Sequence, residues 1–247
     1  STPLYSSAAS DVYKRQEVRI NFRSFTPNWR TISIIYQVGV PSIIMQSISS
    51  VMTFGMNKIL IGFSETAVAV FGVYFKLQSF IFMPIFGLNN GMIPIVAYNY
   101  GARSKKRIME TVWLSIGIAV GIMLIGLMVF HLMTPQLLML FQADEEMLSI
   151  GVPALRIISL SFLFAGYCII VGSVFQALGN GVYSLIISVA RQLVCILPLA
   201  WFFARTFGLH AVWLSLPLAE ITSVVLSSVL FRKIYLDKIK PLGQAAA

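Results

Sequence analysis

Six long apolar blocks, separated by short polar or charged stretches, leave this chain few ways to fold. They run approximately from Thr31 to Gly55, Thr66 to Tyr98, Thr111 to Met133, Gly151 to Leu178, Val182 to Ala204 and Leu209 to Phe231. A helix crosses the hydrocarbon core of a bilayer with about 20 apolar residues, whereas a barrel strand needs only about ten of alternating polarity. The blocks have helical length, which disfavours a β-barrel. Composition agrees, with 57% apolar and only 11% charged residues and a mean hydropathy of +0.83, far from the soluble average. The expected fold class is all-α, a polytopic membrane protein of six transmembrane helices.

Charge orients such a bundle, because Lys and Arg near span ends gather on the cytoplasmic side. Lys14, Arg15, Arg19, Arg23 and Arg30 precede the first block, Arg103, Lys105, Lys106 and Arg107 follow the second, and Arg232, Lys233, Lys238 and Lys240 follow the sixth. With six alternating spans all three segments fall on one side. Asp144, Glu145 and Glu146 follow the third block and fall on the other, with Arg205 a mild exception. The pattern predicts a plasma-membrane protein with both termini cytoplasmic. The formal charge of +9 is then a topology signal, and a nucleic-acid partner is not expected.

The second block is unusual for a lipid-spanning helix. It carries Lys76, Pro84, Pro94 and the Asn89, Asn90 pair, all costly in hydrocarbon. Met83, Pro84 and Gly87, then Gly91 and Pro94, then Asn99, Tyr100, Gly101 and Ala102 ahead of the basic run, resemble the multidrug and toxic compound extrusion (MATE) family. In that family the block is similar to the eighth of twelve helices, in the second of two six-helix lobes. Gly39 to Ser42 with Gln46 and Asn57 resemble the seventh helix. Phe175 to Gly181 resemble the turn between the tenth and eleventh, and Pro217, Ala219 and Glu220 the twelfth. The resemblance covers roughly Arg19 to Leu242. It implies the C-terminal half of a secondary transporter that exchanges inward-moving H⁺ or Na⁺ for outward-moving organic compounds, often cationic, by alternating access. A preceding six-helix lobe is then an expected partner, beside the bilayer and small organic substrates, and the chain reads as a fragment.

Residues 1–16 share neither the apolar pattern nor the resemblance and look like a leader found on fragmentary reading frames of environmental origin. Residues 17–30 interleave aromatic and basic side chains, which suits a cytoplasmic interfacial segment. The bundle occupies 31–231, and 232–247 form a basic cytoplasmic tail.

Ionisable groups inside spans are the first functional candidates. Glu220 lies near the middle of the sixth block and Arg191 near the middle of the fifth. Antiparallel neighbours of equal depth can pair, either as a static structural bridge or as a bridge that Glu220 breaks for a proton, a sodium ion or a cationic substrate. Lys76 either snorkels to the interface or faces an aqueous cavity with Gln78. Tyr36, Gln46, Asn57, Asn89 and Asn90 are uncharged pathway candidates, although amides also glue membrane helices together. Pro84, Gly87, Gly91 and Pro94 are candidates for bending the second helix, either as a hinge or as a fixed kink.

Cys168 and Cys195 lie inside blocks without a C-x-x-C spacing, and His131 and His210 stand at block ends. No metal site, catalytic constellation or cofactor is expected beyond the coupling ion. Two other functions stay open. One is a lipid-linked saccharide flippase of the same superfamily, which should line its cavity with several basic residues. The other is a membrane interaction module with no transport cycle and no water-filled cleft.

Overall fold

The computed structural model describes residues 28–243; the leader at 1–16 and most of the segment at 17–30 lie outside the described residues. Two compact units meet between Gln37 and Val38. Of the first, residues 28–37 are described. Asn28 caps helix α1 (Trp29–Leu60), its Oδ1 accepting the Arg30 N–H at 2.9 Å.

The second unit is helical throughout its described part. After α1 come α2 (Glu65–Gly101), α3 (Lys105–Leu132), the short α4 (Thr134–Met139), α5 (Glu145–Ser159), α6 (Phe162–Ala177) and α7 (Gly181–Val189). A π-helical segment, Ala190–Ile196, joins α7 to α8 (Leu197–Thr206), followed by α9 (Leu209–Val212) and α10 (Ser215–Ile234). Four helical stretches are long and apolar enough to cross a membrane: Glu65–Gly101, Lys105–Leu132, Gly181–Thr206 and Leu209–Leu242. The pair α5 and α6, bent by 48° at a short break, makes a fifth. The expected first span lies within α1, a helix of 32 residues.

Each irregularity has a local cause. At the α5–α6 break Ser161 Oγ donates to the Ile158 carbonyl at 2.7 Å and Ser159 Oγ to the Arg156 carbonyl at 3.0 Å, competing with the helical ladder. Helix α6 ends in a Schellman motif: Gly179 N–H donates to Gln176 O at 3.0 Å and Asn180 N–H to Phe175 O at 2.7 Å, with Gly179 left-handed at φ 74°. Helix α2 ends in the same way, except that Arg103 takes the left-handed position at φ 55°. The π segment stops just before Pro198, which offers no N–H to the Val194 carbonyl and crowds it.

Helical structure continues past Phe231, where the sequence suggested a tail, through a second π-helical stretch, Tyr235–Ile239. Ile234 and Ile239 are buried there, and Lys238 Nζ donates to the Leu178 carbonyl at 2.8 Å.

The core is largely aliphatic, and small residues and aromatic rings fix particular helix contacts within it. A Cβ on Gly166 of α6 would stand 3.1 Å from the carbonyl carbon and oxygen of Ala119 on α3, so the two backbones nearly touch. Phe162, at the start of α6, meets Phe82 of α2 and Phe130 of α3 edge to face, at 5.5 and 5.1 Å between ring centres. Gly166→Ala should therefore lower the melting temperature in detergent, because α3 must move away. Gly121→Ala, where a Cβ meets nothing within 4 Å, should leave it unchanged or raise it by removing about 0.5–1 kcal/mol of backbone entropy cost. Equal shifts for the two variants would refute the close α3–α6 contact.

Candidate functional site

A recess of about 680 Å3 opens between α1, α2, α6 and α7 with its π segment. Its polar lining follows helical spacing: Ser42, Gln46 and Ser49 on α1, Ser173 and Gln176 on α6, Ser184 and Ser188 on α7, with Asn89 and Asn90 from α2. Positions three and four apart share a helix face, so α1, α6 and α7 each turn one polar stripe toward the recess, whereas α2 offers the adjacent Asn89 and Asn90. Ser184 Oγ donates to the Gly172 carbonyl at 2.7 Å and ties α7 to α6.

Among the described residues, Arg191, carried on the π segment, is the only charged one in the wall. Its Nη1 donates to Glu220 Oε1 on α10 at 2.7 Å. The carboxylate is the more deeply buried partner, with 10% of its side chain exposed against 28% for the arginine. Among the described residues, Arg191 Nε and Glu220 Oε2 are both buried without a partner, as is Asn89 Oδ1. Loss of a partner from a buried pair exposes the other to a desolvation penalty of several kcal/mol, so neither residue is free to act alone.

The structure thus brings Gln46, Asn89, Asn90 and Arg191 onto one recess, with Glu220 directly behind Arg191. The other candidates lie elsewhere. Tyr36 is exposed near the start of α1, and Asn57 and Gln78 are half-buried outside the recess. Lys76 is exposed, its Nζ 5.6 Å from the centre of the Phe141 ring, so its nearest aromatic contact is the loop between α4 and α5. Pro84, Gly87, Gly91 and Pro94 recur at steps of three, four and three residues along one exposed face of α2, which runs unbroken as a helix. Pro94 leaves the carbonyl of Asn90 without its helical donor, beside the recess.

Sequence reasoning missed the serines and the Cys168 that share this wall. Their signal was present in the i, i+4, i+7 spacing of Ser42, Gln46 and Ser49 within an otherwise apolar helix. The π segment was also missed, although Pro198 marks its end.

A family model for MatE matches residues 41–202, about two thirds of the chain. The chain belongs to the MatE family. Among curated relatives, the multidrug export protein MepA of Staphylococcus aureus (strain MSSA476) is 27% identical over 220 residues, covering 88% of this chain and 47% of the relative. The MepA of Staphylococcus haemolyticus is 26% identical over 207 residues, covering 84% and 45%. This chain thus spans about half the length of the curated relatives it matches. Among solved structures, the outward-facing conformation of a multidrug resistance MATE family transporter of the MOP superfamily aligns with a TM-score of 0.84 and 25% identity, covering 98% of this chain and 54% of that one. A MOP superfamily transporter from Pyrococcus furiosus, described by the reverse polarity of its binding pocket, aligns with a TM-score of 0.83 and 25% identity over 97% and 54%. MatE proteins are membrane transporters and not enzymes, and the polytopic helical fold agrees with that membership.

A reachable recess makes a direct prediction. In a Cys168→Ala, Cys195→Ala background, Gln176→Cys and Ser188→Cys should react with a water-soluble maleimide in detergent, whereas Ser227→Cys, fully buried on α10, should stay unlabelled. Equal protection at all three positions would mean that the recess is closed to water.

Proposed function

We propose that this chain forms one lobe of a secondary active multidrug efflux transporter, working by alternating access with inward-moving H⁺ or Na⁺ exchanged for outward-moving organic compounds. The observation that carries this reading is the recess of about 680 Å3 inside an apolar bundle, where amides and hydroxyls interrupt an apolar wall backed by the Arg191–Glu220 pair. A non-transporting interaction module has no need of such a space. A saccharide flippase is expected to line it with several basic residues, and among the described residues Arg191 is the one basic residue in the wall. The relatives that carry the name of multidrug export are about twice as long as this chain, which supports a second lobe of similar size completing the transport unit.

In this cycle Pro84, Gly87, Gly91 and Pro94 let the two halves of α2 tilt differently, because prolines remove ladder bonds and the glycines present no side chain on that face. Gln46, Asn89 and Asn90 contact the cargo through hydrogen bonds. Glu220 exchanges its bond with Arg191 for the coupling ion, and the exchange opens or closes the recess. Lys76 and Tyr36 stay outside this step. The positive-inside pattern supports a plasma-membrane location with the Arg103 to Arg107 turn in the cytoplasm.

The test is made on a fusion of this chain to the first lobe of a MATE relative, with drug efflux measured in cells that lack their own exporters. The fusion should restore efflux and the chain alone should not. Efflux by the isolated chain as a monomer would overturn the two-lobe reading. Within the fusion, Glu220→Gln and Arg191→Gln should each lower folded yield, at a cost of about 3–5 kcal/mol for the stranded charge, and the double variant should recover much of it. A recovered double variant that still exports drug against its gradient would remove Glu220 from ion coupling.

Orientation is tested separately. In intact cells an impermeant thiol reagent should modify Glu145→Cys and spare Lys106→Cys in the cysteine-free background. The reverse pattern would invert the topology.

A further inference from the structure

We propose that the basic end of α3 holds the headgroup of an anionic phospholipid. A groove of about 700 Å3 opens where α2 turns into α3, beside the chain segment that reaches Leu242. Its lining changes along its length. Arg103, Lys105 and Lys106 stand at the turn, and Met109, Trp113 and Leu242 line the remainder. A helix rises about 1.5 Å per residue, which places Trp113 about 12 Å along α3 from Lys105. The headgroup layer is about 5–8 Å deep on each side of a bilayer, so the groove runs from phosphate level into the upper acyl region.

The side chains fit such an occupant in both parts. Three cations face one carboxylate, Glu110, and the Lys106–Glu110 approach is 3.9 Å between side chains that are 88% and 62% exposed. A pair so exposed is worth little, and Lys106 remains available to a phosphate oxygen. Lys105 Nζ lies 5.5 Å from the centre of the Tyr235 ring, which holds it on the groove side of α3. Trp113 is 60% exposed, as an amphipathic ring at the membrane interface is expected to be. A free phosphate or nucleotide would use the basic end and leave the Met109, Trp113 and Leu242 wall without a partner, whereas a lipid fills both. The site requires no transport cycle, so its test stands apart from the efflux reading.

The full chain in mild detergent is titrated with phosphatidylglycerol or phosphatidylcholine while native mass spectrometry counts bound lipid. Phosphatidylglycerol should bind about tenfold more tightly or better, and Lys105→Gln with Lys106→Gln should abolish that preference. Arg232→Gln with Lys233→Gln, an equal loss of exposed charge elsewhere in the chain, should keep it. Phosphatidylglycerol brominated in its acyl chains should quench tryptophan emission at one lipid per chain, and Trp113→Phe should remove that quenching. Equal affinity for the two lipids, equal losses in both double variants, or quenching that survives Trp113→Phe would each overturn the proposal.

Discussion

Arg191 and Glu220 set the terms for the rest of the bundle, because a carboxylate with only 10% of its side chain exposed must be met by an opposite charge. The single 2.7 Å bond between them spans the π segment and α10 at mid-helix depth. It fixes the rotation of both helices, since a turn of either by one residue would strand a charge at a cost of several kcal/mol. The bond is also incomplete. Glu220 Oε2 and Arg191 Nε have no partner among the described residues, and a bidentate pair would be harder to open. In the proposed transport cycle, a pair held by one strong bond would be firm enough to order the helices and loose enough to be exchanged.

Backbone irregularity places the remaining groups. A regular helix from Gly181 to Thr206 would present residues at a fixed 100° step. The π segment from Ala190 to Ile196 widens the turn and so shortens that angular step, and it carries both Arg191 and Gln192 on the recess wall. Such widenings recur at functional positions, and here Pro198 supplies the local reason. The pair α5 and α6 is bent by 48°, and Ser173 and Gln176 of α6 line the recess beyond that bend. Irregular turns survive in lipid only where neighbouring helices or water satisfy the released groups, and the recess lies beside the released Asn90 carbonyl.

The fold was legible in the sequence to the level of apolar blocks. Their lengths gave the spans, and the order of Pro, Gly and Asn motifs gave the family. Mid-block depth was enough to suggest that Arg191 and Glu220 meet. What escaped were features that depend on rotation about a helix axis. Lys76 and Gln78 share a block with Asn89 and Asn90, yet Lys76 turns toward Phe141 and away from the recess. Block membership says nothing about such a turn. The serines were passed over because each is weakly polar alone, and only their shared face makes them a wall. The left-handed Arg103 was equally hidden, since that position ordinarily calls for glycine and Gly101 stands two residues too early.

The wall's chemistry bears on what the recess can hold. Arg191 brings a positive charge to the lining, and the matching carboxylate sits behind it, more buried than the guanidinium. An organic cation entering the recess therefore meets amide and hydroxyl dipoles first, and meets an arginine before it meets Glu220. Dipoles alone select shape and hydrogen bonding more than charge, which suits a site tolerant of many ligands. Attraction for a cation on this side of the molecule would have to come from Glu220 after its bond to Arg191 opens. Opening that bond, however, leaves the guanidinium seeking an acceptor within the same recess. A ligand that carries both a cationic and an acceptor group satisfies the two halves of the broken pair together, and a purely cationic one satisfies only the carboxylate.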